Sequence, residues 1–197
     1  MDGQAPLIDE NDPVQSVFAP VLGLPAWSVQ KGQGSMLTFE FGNPSLYIRE
    51  PIESKEAASA KIVAWRRRRT VKPIGEWWLW IYCCNWRCIV RGRETAHSES
   101  TSKRIGTAVR ELDGQCLLSI SVDPLKGTSR FVFDLDTVLE TWPYEDEDLD
   151  EQWSLQRRSS YIFAYRKDGR YSWSAENASS GEEVWLPLPS GAIGIVA

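Results

Sequence analysis

The sequence predicts a mainly β (α+β) protein: two similar antiparallel β-meander units, each preceded by a short helix, sharing one core. Three observations point there. Short runs of alternating apolar and polar residues are separated by turn signals such as "KGQG", "GNPS", "DPLKG" and "KDGR", as in strands joined by tight connections. A helix-start pattern occurs twice, 91 residues apart. Each unit alone has too few strands to cover both faces of a sheet, so the two must pack together.

The first helix is read from "NDPVQSVFAPVLG". Asp12 stands as its N-cap and Pro13 at the first helical position, followed by Val14, Val17, Phe18 and Val21 at helical spacing. "STSKRIGTAVRELDG" repeats the pattern with a Ser/Thr cap and Ile105, Ala108, Val109 and Leu112. The two align without a gap and end at Gly23 and Gly114.

The alignment continues through strands. Trp27 and Val29 match Leu118 and Ile120, and Phe39 and Phe41 match Phe131 and Phe133 after one inserted residue. Leu46 and Ile48 match Leu139 and Thr141, each pair followed by proline, and "GEWWLWIY" corresponds to "DEQWSLQ". The expected division is residues 1–100, residues 101–175 and an extended tail over 176–197, the first two forming one compact domain.

The densest stretch is "GEWWLWIYCCNW", residues 75 to 86. Read as one strand, Trp78, Trp80, Tyr82, Cys84, Trp86 and Cys88 share a face, and Trp77, Leu79, Ile81 and Cys83 share the other. Apolar residues on both sides predict a central strand buried on both faces. Cys83 and Cys84 then point apart and cannot hold one metal, and Cys-Cys-x3-Cys lacks the paired knuckles of a structural zinc site. Cys83, Cys84, Cys88 and Cys116 are therefore expected to be reduced thiols, with no metal or cofactor. An aromatic platform for sugars or bases normally mixes aromatics with basic or amide groups, and this face offers few.

The two units diverge where each carries an insert. The first holds Arg66, Arg67, Arg68 and Arg69 in succession; the second holds "EDEDLDE", with Glu145, Asp146, Glu147 and Asp148 at its head. Such runs suit partner binding, the arginines for an acidic group and the acids for a basic protein such as a nuclease. The plainer reading is two solvated loops, facing each other across the repeat. Loops on a rigid scaffold are where specific function concentrates.

Composition bounds the function. The chain has 197 residues, 10 Trp and a net charge of −5, which argues against a general nucleic-acid binder. No run approaches the roughly 20 apolar residues of a membrane span. The acidic start "MDGQAPLIDENDP" lacks a signal-peptide pattern, so a cytoplasmic, bacterial protein is expected. His97, the single histidine, lies in a polar stretch, and no GxSxG, HExxH, P-loop or GxGxxG spacing occurs, so no catalytic residue is assigned.

"LGLPAW", "GSMLTFEFGNPSLYI", "WLWIYCCNW", "LDGQ" and "EQWSL" resemble a group of uncharacterised bacterial proteins found as short whole chains. The unit "G…L.F.FG…L.I" followed by a Trp strand is similar to small β domains assigned to immunity proteins of bacterial toxin systems. The resemblance implies no catalytic motif and carries no functional residue. The function expected is thus a non-enzymatic protein-interaction protein, of the kind that inhibits a toxin. The alternative is a small-molecule or carbohydrate binding module with a pocket between the halves, lined by Trp80 and Trp153.

Overall fold

Asp12 starts the first helix as the sequence predicts. Its Oδ1 accepts from the Gln15 N–H at 2.9 Å, and α1 (Pro13–Phe18) turns Val14, Val17 and Phe18 inward. Thr101 likewise caps α3 (Ser102–Leu112), which buries Ile105, Ala108 and Leu112. In this computed structural model residues 8–52, 59–145, 148–176 and 183–189 are described.

The alternating runs form antiparallel strands. One sheet of seven has the order β1 (Trp27–Lys31), β2 (Leu37–Phe41), β5 (Trp77–Ile81), β11 (Glu151–Arg157), β12 (Tyr161–Arg166), β13 (Arg170–Ala175) and β14 (Trp185–Pro187). A sheet of five has the order β7 (Arg93–His97), β6 (Asn85–Val90), β10 (Thr137–Trp142), β9 (Thr128–Phe133) and β8 (Leu117–Asp123). A ribbon of two, β3 (Ser45–Arg49) and β4 (Thr70–Ile74), stands apart and carries a short helix, α2 (Ala60–Arg66). Both large sheets draw strands from both stretches of the expected repeat.

The two large sheets face each other across one aromatic core. Phe39 of β2 stacks on Phe133 of β9 at 6.0 Å, and Trp153 of β11 meets Phe131 of β9 at 5.9 Å. Phe18 of α1 touches both Phe131 and Trp153 and so joins helix to both layers. The Trp153 indole N–H donates to Ser129 Oγ at 2.8 Å, which satisfies the one polar group this large side chain takes inside. Helix α3 packs against β7 and β1, the edge strands of the two sheets.

A local two-fold relation survives where the helices end. Gly23 and Gly114 both adopt positive φ, +79° and +92°, which glycine takes without a Cβ clash; Gly114 directly follows the α3 C-cap Asp113, and Gly23 ends the turn after α1. The segments that follow pair with each other: Gly23 N–H with Leu117 O, Gly114 N–H with Ala26 O, and Pro25 bridged to Cys116. Beyond this crossing the strand orders still correspond: β1-β2-β5-β11-β12 in one sheet matches β8-β9-β10-β6-β7 in the other. The counterpart of β10 beside β9 is β5 beside β2, not β3, so the expected match of Leu46 and Ile48 with Leu139 and Thr141 does not hold and the β3–β4 ribbon is an insertion. Each half divides its strands between both sheets, so the halves are not two separate meanders.

The Trp-rich stretch is also not one strand. β5 ends at Ile81, the chain turns at Cys83 with φ +47°, and β6 begins in the opposite sheet at Asn85. β5 is central, between β2 and β11, yet covered on one face only: Trp77, Leu79 and Ile81 are buried, whereas Trp78 and Trp80 are partly exposed. An antiparallel sheet can leave one face toward solvent. Here the outer rings contact each other edge-on, Trp78 to Trp80 at 4.3 Å and Trp80 to Tyr82 at 6.0 Å.

Candidate functional site

The ribbon forms an arm rooted at Gly42 and Gly75. Glu40 organises the root: its carboxylate accepts from the Gly75 N–H at 2.8 Å and from Arg158 at 2.8 and 3.0 Å. Arg158 also donates to Gly75 O and lies over the Trp78 ring at 4.5 Å. A β-carbon on Gly75 would sit 2.6 Å from the Phe41 carbonyl oxygen, so only glycine fits where the chain re-enters the sheet.

Period-two alternation gives the arm two unlike faces. Register places Leu46 opposite Pro73 and Ile48 opposite Val71, making one continuous apolar face. That face is open: Leu46 is 69% exposed, Ile48 51% and Val71 54%. The other face carries Tyr47, Lys72, Arg49 and Thr70. Arg49 ties α2 to it, with its guanidinium 3.8 Å from the Trp65 ring and donating to the carbonyls of Trp65 and Arg68. α2 itself buries no residue.

The arm is also basic. Residues 45–74 hold eight basic and three acidic residues, a net of +5 against −5 for the whole chain, which leaves −10 on the remainder. Arg66, Arg67, Arg68 and Arg69 are all exposed at its far end, where Arg69 pairs with Glu50 at 2.8 Å.

The acidic run lies elsewhere. Asp146 and Glu147 fall outside the described residues; Glu145 and Asp148 are exposed in the connection before β11. β11 pairs β5 with Trp153 beside Ile81 and Arg157 beside Trp77. The acidic connection therefore approaches the Ile81 end of β5 and the arm joins the Trp77 end, about 14 Å apart at strand spacing. The described parts of the two inserts thus leave the sheet at opposite ends of β5.

Trp80 and Trp153 are not brought together either. Trp153 is fully buried between the sheets, while Trp80 lies on the outer face opposite Ser154. A groove does exist on the outer side of the five-stranded sheet. It measures about 570 Å³ and is lined by Arg87, Arg130, Glu140, Trp142, Asp123 and Thr128 among others. Glu140 bridges the flanking guanidiniums of Arg87 and Arg130 at 2.7 and 3.4 Å.

The cysteines sit in three different settings. Cys84 and Cys88 are buried in the core, Cys116 is half-buried, and Cys83 is exposed at the chain crossing. Burial raises all four thiols, Cys88 to about 12, and Asp150 and Glu151 add to the effect at Cys83. A raised thiol is the opposite of an activated one. Among the described residues no three His, Cys, Asp or Glu side chains gather as a metal site, and no helix is long and apolar enough to cross a membrane.

The arm's apolar face escaped the sequence reading because Leu46 and Ile48 aligned with Leu139 and Thr141. The latter are buried in the core and the former are open to solvent. "ASAKIVAWR", with Ser59 before a run of helix formers, carried the signal for α2. No protein family, curated protein or solved structure matches this chain.

Proposed function

We propose that this chain is a non-enzymatic protein-interaction protein that binds its partner through the arm. The observation that carries this reading is the concentration of apolar surface there. Of twelve large hydrophobic residues exposed among those described, seven lie on the arm: Leu46, Tyr47, Ile48, Ile52, Ile62, Trp65 and Val71. Leu46, Ile48 and Val71 among them form the arm's continuous apolar face, and contiguous exposed apolar area marks an interaction site. The flanking arginines specify an acidic rim on the partner, since complementary charge speeds encounter and sets register. The pattern shared with immunity domains supports inhibition of a bacterial toxin in the cytoplasm as the setting.

The test compares the native chain with the double variant Leu46→Lys/Val71→Lys, whose sites are exposed and whose fold is expected to persist. Each is used as bait in host lysate, and any acidic protein retained is then purified and titrated against both. A partner bound by the native chain and weakened at least tenfold by the variant supports the reading. Equal affinity for both removes the apolar face from it.

The groove supports a second reading, a site for a neutral polyhydroxylated ligand such as an oligosaccharide. Trp142 offers a ring for stacking, and Arg87, Arg130, Glu140 and Asp123 offer planar donors and acceptors without net positive excess. Titration with soluble oligosaccharides, read by tryptophan emission and melting temperature, tests it. A Trp142→Ala variant with an unchanged response would remove the groove from consideration.

A further inference from the structure

The arm offers an edge as well as a face. β3 has a single neighbour, β4, and the backbone groups of Ser45–Arg49 turned away from β4 have no hydrogen-bond partner among the described residues. An open edge is a template for another strand unless it is blocked. β4 is blocked by Pro73, which has no N–H to donate, and by the charge of Lys72; Leu46, Tyr47 and Ile48 of β3 have no such guard.

We propose that the free edge of β3 pairs antiparallel with the same edge of a second copy, giving a two-fold dimer with a continuous β4-β3-β3-β4 sheet. Three properties of the arm select a second copy as the occupant. The first is self-complementarity. Pairing centred on Tyr47 sets Leu46 beside the second copy's Ile48, Ile48 beside its Leu46, and Tyr47 beside its own equivalent. Both Leu46–Ile48 pairs fall on the face already carrying Val71 and Pro73, and the Tyr47 pair on the opposite one. The second is strand number. A lone two-stranded ribbon is marginal in water, and four strands with one apolar face are not.

The third is charge. β3 leaves the body at Ser45, paired with Ile74 at the root, and reaches the tip at Arg49, paired with Thr70. Antiparallel pairing therefore carries the basic tip of each arm, with Arg66–Arg69, back toward the other copy's body. The arm bears +5 and the body −10, and Glu76 stands exposed at the root. The two basic tips end up at opposite ends of the joined strands, about 14 Å or more apart, beyond the roughly 8 Å screening length at physiological salt.

The dimer uses the same arm as the proposed function but a different surface of it, the edge rather than the face, and doubles the apolar face presented to a partner. Five residues per copy make a small interface, so the association belongs to the weak, reversible class.

Sedimentation of the full chain from about 1 to about 500 μM tests it. The expected result is a concentration-dependent doubling of mass that weakens at about 0.5 M salt. Tyr47→Glu sets two like charges directly opposite in the dimer while leaving Lys72 as a neighbour within the ribbon. It is expected to raise the dimer dissociation constant at least tenfold. Val71→Lys lies on the far strand and is expected to leave it within threefold. A monomer throughout the range overturns the proposal and leaves the face-binding reading standing. A dimer indifferent to Tyr47→Glu also overturns it, since the contact then lies elsewhere.

Discussion

Glu40 and Arg158, 118 residues apart in sequence, close a charged hydrogen-bond cluster at the root of the arm. Both are mostly buried, with side chains 10% and 22% exposed. The carboxylate serves Arg158 and the Gly75 amide together, so it holds the ribbon to the strand from which it departs.

Removing the carboxylate leaves a partly buried guanidinium and an amide without their acceptor. Full burial of such an orphaned charge costs about 3–5 kcal/mol, and the access Arg158 retains to water lowers this to about 2 kcal/mol. Glu40→Ala is therefore expected to lower the urea midpoint with little change in slope. An unchanged midpoint would show that solvent replaces the pair at no cost.

Gly75 and Gly23 separate two reasons for glycine. At Gly75 a β-carbon meets the backbone oxygen and nitrogen of Phe41 at 2.6 and 2.9 Å, atoms that move only if the strand moves. At Gly23 the space is open and only φ, +79°, opposes a side chain. Gly75→Ala is expected to cost about 3 kcal/mol or more and Gly23→Ala about 1 kcal/mol. Thermal denaturation of the pair checks the order, and the reverse order would mean that the β2–β5 junction yields easily.

Alkaline pH should destabilise the fold through buried acids that stay protonated. Cys84 and Cys88 are raised by burial, as are Tyr82 and Tyr165, with Glu151 also raising Tyr82 through its hydrogen bond. A raised acid binds its proton in the folded state after the unfolded state has lost it, so stability is complete below the unfolded pKa and falls above it. The unfolded values are about 8.5 for cysteine and about 10 for tyrosine. Stability is expected to hold at pH 8 and to fall by about 2.7 kcal/mol per pH unit between pH 9 and 10, from the two buried thiols. Above pH 10 the tyrosines should steepen the fall. Cys84→Ala/Cys88→Ala, though less stable at pH 7, should lose most of the first slope; an unaltered slope would assign it to other groups.

The fold class was legible because the signals for it are local. Caps at Asp12 and Thr101, glycines at 23 and 114 and period-two alternation each depend on a few neighbouring residues. What followed β5 was not local. Tyr82, Cys83 and Cys84 continue the alternation without a break, and nothing in their identity announces that Cys83 turns the chain from one sheet to the other. The arm was hidden for a similar reason. Leu46 and Ile48 have the composition of a core strand, and only the pairing of β2 with β5 expels them from the core.

The crossing at Cys83 makes two adjacent cysteines chemically unlike, and this can be measured directly. Cys83 is exposed, although burial of part of its surface and the nearby Asp150 and Glu151 make it a slower nucleophile than a free thiol. Cys84 is 1% exposed and directs its thiol at the Gln152 carbonyl oxygen at 3.5 Å. Alkylation of the native protein at pH 8, followed by peptide mass spectrometry, should modify Cys83 first, Cys116 more slowly, and Cys84 and Cys88 only on unfolding. Urea below the transition should leave that order intact. Equal labelling of Cys83 and Cys84 would mean that the segment linking the sheets opens locally, and the core would then be less continuous at this crossing than Trp86 and Trp153 make it.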